Sequence, residues 1–304
     1  MRSVRSIVVA CVVLGLAACS SATLTRMAYN NAALAYTNLA PMLTWMVDDY
    51  VDLDGGREDW VRGRLDRVLA WHRAEELPRY RALLQSILEK SEAPFRVEDI
   101  AAKQREIRAG YHRVLEHVIP DTAEFLATLD SGEAAQIERK FIEDNRKYVK
   151  ESVRGTPEER IDRRAKRFIG HLESWVGSLE SPQRALVFER YRDLTDLSEE
   201  LLGERRFRQG ETLAMLKARS SRTQVEASLK KIFINTESWR RPEYQQKLRE
   251  RDAKVQAMIA DLSATLTDRQ RAALQKRIGG LIRDIDNLTS TRSALTRTAA
   301  TPAS

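Results

Sequence analysis

Apolar side chains in this chain return every three or four residues, and almost nothing interrupts the rhythm. Trp60, Val61, Leu65, Val68 and Leu69 are followed by Leu77, Tyr80, Leu83, Leu84, Ile87 and Leu88. That spacing places them on one face of a helix, since 3.6 residues make a turn. Glycine and proline, which break such patterns, number only 13 and 8 in 304 residues. A chain with so few breakers, rich in Ala, Leu, Arg, Glu and Gln, folds into long helices rather than many short strands. With 42% hydrophobic and 31% charged residues it also has enough apolar surface to bury a core.

The pattern predicts an all-α, multi-helix bundle of about eight to ten helices. Leu39, Met42, Leu43 and Met46 share one helical face, where Pro41 must start or kink a helix. Residues Asp54 to Leu88 read as two amphipathic helices, with Pro78 in the first turn of the second. A helix from Val97 should kink at Pro120. Others are expected at Gly132 to Val153, Pro157 to Leu179, Pro182 to Leu202, Phe207 to Trp239, Pro242 to Leu266 and Asp268 to Leu288. Beyond residue 289 the chain has little to bury, so 290–304 reads as a disordered tail.

One spacing recurs four times. Leu53-Asp54 with Arg57, Val61 and Arg64 is matched by Leu129-Asp130 with Glu133, Ile137 and Lys140, by Leu179-Glu180 with Gln183, Val187 and Arg190, and by Leu266-Thr267 with Gln270, Leu274 and Arg277. Physically these are helix beginnings; Thr267 and Gln270 form a capping box, each side chain satisfying a backbone donor at the helix start. The intervals between copies are too irregular for a solenoid. Convergence on good helix starts and common ancestry both produce such copies.

The amino terminus carries an address. Arg2 and Arg5 precede an apolar run from Ile7 to Leu16, and Leu16-Ala17-Ala18-Cys19 follows. Charged region, apolar core and small-residue site in that order make a secretion signal, and the run is too short to span a bilayer. The small pair before Cys19 resembles the lipobox of bacterial lipoproteins. The resemblance implies cleavage after residue 18, lipidation of Cys19, and palmitate among its acyl chains. Ser20, where Asp would retain the protein at the inner membrane, resembles the outer-membrane sorting pattern. The expected location is therefore the periplasmic face of the outer membrane, with Cys19 as membrane partner and residues 19–289 as the folded body. Cys11 leaves with the signal, so the mature domain has no free thiol, disulfide or cysteine-ligated metal.

Net charge is +7 and unevenly spread, with 21 Lys and Arg against 11 Asp and Glu from Leu202 to Ser304. The acidic excess lies in the part between Cys19 and Leu201. A basic distal part could meet an envelope protein or an anionic envelope polymer, and in that compartment not nucleic acid; the same residues also read as the solvated faces of Arg-rich helices.

The segments YNNAALAYTNLAPMLTWMVDDYVDL (29–53), LAWHRAEELPRYRALL (69–84) and FLATLDSGEAAQIERKFIEDNRKYVKE (125–151) resemble an uncharacterised family of Gram-negative bacterial lipoproteins, a domain of unknown function. AWHRAEELPRY, Ala70 to Tyr80, is the most specific part. The resemblance implies a lipobox followed by an all-helical body, and no activity. LTDRQRAAL (266–274) resembles small periplasmic helical chaperones that sense envelope stress.

Two places could carry chemistry. Asp48, Asp49, Asp52 and Asp54 precede Gly55-Gly56, but an EF-hand register puts Tyr50 first and Val61 twelfth, where an acid and a bidentate Glu are required. A turn with capping aspartates explains the run. Trp71, His72, Arg73, Glu75, Glu76, Arg79 and Tyr80 form the densest polar and aromatic cluster. With Asp48, Asp49 and Asp52, the residues Trp71, His72, Glu76, Arg79 and Tyr80 make a candidate groove for a ligand or partner helix. Alternatively, Trp71 packs inward and the rest fix a helix junction against the acidic turn. A hydrolase or metal-binding reading would use the Asp48 to His72 region, yet no nucleophile accompanies His72. His112 and His117 lie five apart, off the spacing that aims two ligands at one metal, and there is no HExxH, GxSxG or phosphate-binding glycine loop. No metal and no cofactor is expected. The reading that remains is a non-enzymatic binding, chaperone-like or adaptor module.

Overall fold

The computed structural model describes Tyr36 and residues 38–299. The segment read as a signal peptide and Cys19 lie outside the described residues, as do 300–304. Among the described residues there is no strand. The described residues are all-α and form ten helical rods when π-helical continuations are joined to their helices.

Helix α1 (Leu39–Asp48) buries Leu43, Met46 and Val47, and Pro41 stands in its first turn. Asp54 then caps α2 (Gly55–Trp71) by accepting from the Arg57 amide at 2.8 Å. Helix α2 does not end where sequence suggests. A π-helical turn, His72–Glu76, carries the rod directly into α3 (Leu77–Lys90), so the two expected helices are one. Pro78 costs nothing there because the wider turn has already displaced the hydrogen bond it would have made.

Helix α4 (Val97–Leu126) passes through Pro120 without ending. Asp130 opens α5 (Ser131–Tyr148) with a capping box to Glu133, and a second π turn, Val149–Val153, ends it. Thr156 and Glu159 cap α6 (Pro157–Val176), and Glu180 and Gln183 cap α7 (Ser181–Arg192). Helix α8 (Ser198–Lys217) and α9 (Arg222–Phe233) correct two expected boundaries. The expected helix Pro182 to Leu202 stops ten residues early because Asp196 accepts from the Ser198 amide and hydroxyl and from Arg160 at 2.6 Å, which holds a turn. The expected helix Phe207 to Trp239 is cut at Arg219, whose φ of 48° is left-handed, and restarts at the Ser221–Gln224 capping box. Helices α10 (Pro242–Ala264) and α11 (Asp268–Ala299) complete the described residues. Helix α11 runs past Ser290, where the sequence predicts disorder; adding Thr, Ser and Ala to an existing helix costs little beyond what the nucleus has already cost.

Two principal hydrophobic clusters form. One joins α1, α2, the second half of α4, α5, α8 and α9 around Leu65, Leu115, Ile119 and Leu229. The other joins α6, α7, α10 and the start of α11 around Ala165, Ile169, Val187 and Met258. Long helices tie them together: α4 lies along α9 and also α10, and α11 lies along α6 and α3.

The four recurrent helix starts are organised by these clusters, two to each. Arg57 of the first copy forms an ion pair with Glu133 of the second. Gln183 of the third and Gln270 of the fourth exchange amide hydrogen bonds, Nε2 to Oε1 in both directions at 2.9 and 2.8 Å. Each also donates to the carbonyl just before the other copy's leucine region, Gln183 to Thr265 and Gln270 to Ser178. The basic residue later in the motif follows the same rule: Arg64 pairs with Glu124, five residues before Leu129, and Arg190 pairs with Asp261, five before Leu266. The third and fourth copies are therefore related by a local two-fold through their reciprocal amide bonds, and the same spacing builds the first pair.

Candidate functional site

The AWHRAEELPRY segment is where backbone and side chains depart furthest from a plain helix. Its π turn adds a residue to one turn, with the Leu77 amide bonded to the His72 carbonyl, five residues back. Such insertions re-aim the side chains that follow. Here the result is that Glu76 is 1% exposed.

A buried carboxylate needs a partner, and Arg113 of α4 supplies it, Nε to Oε1 at 2.7 Å and Nη2 to Oε2 at 2.8 Å. Arg79 adds a longer contact, 3.6 Å to Oε1. The bidentate bond from Arg113 is the main reason that the Glu76 carboxyl is held below its usual pKa, against the opposing effect of burial. Gly110, one turn before Arg113, makes room: a Cβ there would stand 3.3 Å from Tyr80 Cε1 and 3.5 Å from Arg113 Nη2.

His72 faces the other way, toward the entry to α1. The Tyr36 hydroxyl donates to the Leu69 carbonyl at 3.0 Å and lies 3.1 Å from His72 Nδ1. Because Tyr36 has one proton to give and Leu69 receives it, the proton between the two rings is assigned to His72 Nδ1. Burial pushes the Tyr36 pKa up to about 12 and lowers that of His72, the latter opposed by Glu76. The His72 ring stacks on Tyr36 and meets Tyr80 edge-on. Trp71 is half-buried and stacks face to face on His117 at 3.7 Å.

This cluster does not include the aspartates. Helices α1 and α2 form a hairpin, so Asp48 at the end of α1 lies beside the start of α2, whereas His72 is 17 residues further along the rod. At 1.5 Å per residue that is about 25 Å. Asp48 accepts from the Leu53 amide at 3.0 Å, Asp49 pairs with Lys140 at 2.9 Å, and Asp52 is exposed. The single groove expected from Asp48, Asp49, Asp52, Trp71, His72, Glu76, Arg79 and Tyr80 is thus two separate places. Nor does the cluster brace the acidic turn, as the alternative required; it joins α2 and α3 to α4 and Tyr36. Among the described residues no group of three His, Cys, Asp or Glu is placed to hold a metal ion.

Glu75 and Arg79, one turn apart, form an ion pair at 3.9 Å, both about half exposed. An exposed pair of this kind contributes little, and Glu76 keeps its bidentate bond from Arg113 when Arg79 is removed, so Arg79→Ala should lower the thermal midpoint by no more than about 2 °C in a melting experiment.

Sequence reading missed the cavities, because neither belongs to a contiguous motif. Trp60 of α2 and Phe125 of α4 stack at 6.0 Å between centroids and wall two of them. One, about 30 Å³, is apolar and reaches inward past Val61, Leu65 and Val118. The other, about 450 Å³, opens outward between Gly56, Arg57, Thr128, Asp130 and Glu133. It sits beside the Arg57–Glu133 pair, and Arg57 Nη2 is buried there without a hydrogen-bond partner. Neither cavity is lined by Asp48, Asp49, Asp52 or His72.

Four cations of the basic distal part reach acids of the proximal part: Arg205 to Asp144, Lys217 to Glu138, Arg222 to Glu124 and Lys247 to Glu200. The charge asymmetry read from sequence is partly neutralised within the molecule. Among the described residues no helix is long and apolar enough to cross a membrane.

No curated protein and no solved structure matches this chain. A family does, over residues 49–245, a stretch that begins just after α1, contains the π turn with its Arg113 partner, and ends in the first turn of α10. The chain belongs to that family, described as a family of unknown function (DUF6279).

Proposed function

We propose that this protein is a non-enzymatic binding module, anchored by lipid on Cys19 to the periplasmic face of the outer membrane, that holds another envelope protein as an adaptor or chaperone. The observation that carries the reading is the open cavity of about 450 Å³ between α2 and α4. Its Trp60 and Phe125 walls suit an apolar side chain, and the Arg57, Asp130 and Glu133 rim can bond the backbone of the segment that bears it. The lipobox supports the anchor, since several acyl chains at one cysteine give stable attachment where one would not.

The two halves of the proposal are tested separately. Cys19→Ser should abolish palmitate labelling and move the protein out of the membrane fraction; unchanged fractionation would remove the anchor. For binding, the full-length protein is crosslinked in cells and purified beside a control that carries only the signal and lipobox. A partner enriched over the control should be lost with Thr128→Arg, which fills the cavity mouth from an exposed position and should leave the melting temperature unchanged. If nothing is enriched, or if Thr128→Arg captures the same partner equally, the cavity is not a binding site.

A further inference from the structure

The polar groups on the rim of the open cavity between α2 and α4 are used unequally. Glu133 accepts from Arg57 through one carboxylate oxygen and from the Asp130 amide through the other, the latter at 2.8 Å. Arg57 bonds Glu133 through Nη1, and its Nη2 is shut off from solvent. Asp130 Oδ1 accepts from the Gly132 and Glu133 amides at 2.7 and 2.9 Å, and Asp54 Oδ1 accepts from the Arg57 amide, so donors at both helix starts are taken. Asp130 Oδ2 is left over: the residue is exposed, and among the described residues its carboxylate forms no ion pair.

The charges around that oxygen do not cancel. Arg64 lies over the Trp60 ring at 4.8 Å and is held by Asp121 and Glu124 at 2.7 and 2.8 Å, and Glu124 also holds Arg222, so those four groups balance. Arg57 and Glu133 balance each other. Asp130 remains, with Asp54, whose Oδ1 is 3.8 Å from where a Gly56 Cβ would stand. Arg219, in the turn before α9, is the cation that acts on Asp130 besides Arg57. Two carboxylates against that one guanidinium leave the mouth acidic by one charge, beside the apolar Trp60 and Phe125 walls.

On the reading of this cavity as a docking site, we propose that its occupant is a polypeptide segment carrying a lysine or arginine beside its apolar anchor, with the cation bonded to Asp130 Oδ2 and the apolar side chain against Trp60 and Phe125. A charge-assisted bond to a carboxylate is about twice as strong as a neutral one, and the surplus charge favours a cation over a neutral donor. A segment with an acid at that place meets Asp54 and Asp130 and is disfavoured.

Three probes with the same ring and different charge test the sign: 2-phenylethylammonium, 2-phenylethanol and 3-phenylpropionate. Each is titrated at fixed ionic strength into full-length protein in detergent, with the Trp60 indole N–H resonance followed by NMR and assigned with Trp60→Phe. The ammonium should bind at least about fivefold tighter than the alcohol, within the worth of one hydrogen bond to a charged group, and the preference should shrink as salt is raised to about 0.5 M. In Asp130→Asn the two should bind alike; asparagine caps a helix as well as aspartate does, so the start of α5 is kept while the charge is removed. Equal binding of ammonium and alcohol in the wild type, a preference that survives Asp130→Asn, or tightest binding of the propionate would overturn the charge assignment and leave the cavity a docking site. If no probe moves the resonance at about 50 mM, beyond the range of millimolar binding, the docking reading falls with it.

Discussion

Arg113→Ala is expected to lower the free energy of unfolding by about 3 kcal/mol, the low end of the cost of leaving one partner of a buried pair alone. Glu76 is 1% exposed and would keep only Arg79, 3.6 Å away, as its cation. Denaturant melts of the two proteins measure the difference; a loss below about 1 kcal/mol would mean that water, not Arg113, satisfies Glu76. The pair also predicts a pH dependence. Because the folded Glu76 pKa lies below its ordinary value of 4.5, its contribution is complete above that pH and is lost as the pH falls through the lower folded value. The stability gap between wild type and Glu76→Gln should therefore be widest near neutrality and close in acid below about pH 4. A gap that widened in acid would have the wrong sign.

Gln270→Ala is expected to cost about 2 kcal/mol, since it strands buried donors and acceptors of Gln183 and the Thr267 amide and frees the Ser178 carbonyl. Gln183→Ala should cost a similar amount. Removing both should cost clearly less than the two together, with a coupling of at least about 1 kcal/mol in a double-mutant cycle. Additive losses would mean that the amide exchange at the local two-fold is incidental. Arg57→Ala tests the related position in the first cluster, where the partners are a third or less exposed rather than buried. A loss of about 1 kcal/mol is expected there, smaller because the ion pair can exchange with water.

Much of the fold was legible because helix information is local. The capping residues Asp54, Asp130, Thr267 and their partners three positions on act within a single turn, and all start helices where the spacing indicated. Boundaries failed where a distant residue decided. Asp196 ends the expected helix after Pro182 because Arg160 and Arg164 of α6 reach it, and nothing within 30 residues of Asp196 records that. The π turn was missed for the same reason: AWHRAEELPRY reads as good helix up to Pro78, and the extra residue aims Glu76 at Arg113 on α4, 37 positions away in the chain.

Sequence by itself determined that the protein is all-helical, where most helices begin, that no cysteine stands after Cys19, and that four helix starts share one spacing. These follow from periodicity, propensity and capping, which act over a few residues. Only the tertiary structure decided that the four starts pair two by two, that Asp48 and His72 stand at opposite ends of a hairpin, and that the buried Glu76–Arg113 pair and the Trp60–Phe125 cavity exist as such. Those depend on which helix faces which, and burial, charge pairing and cavity shape are set by contacts between residues far apart in the chain.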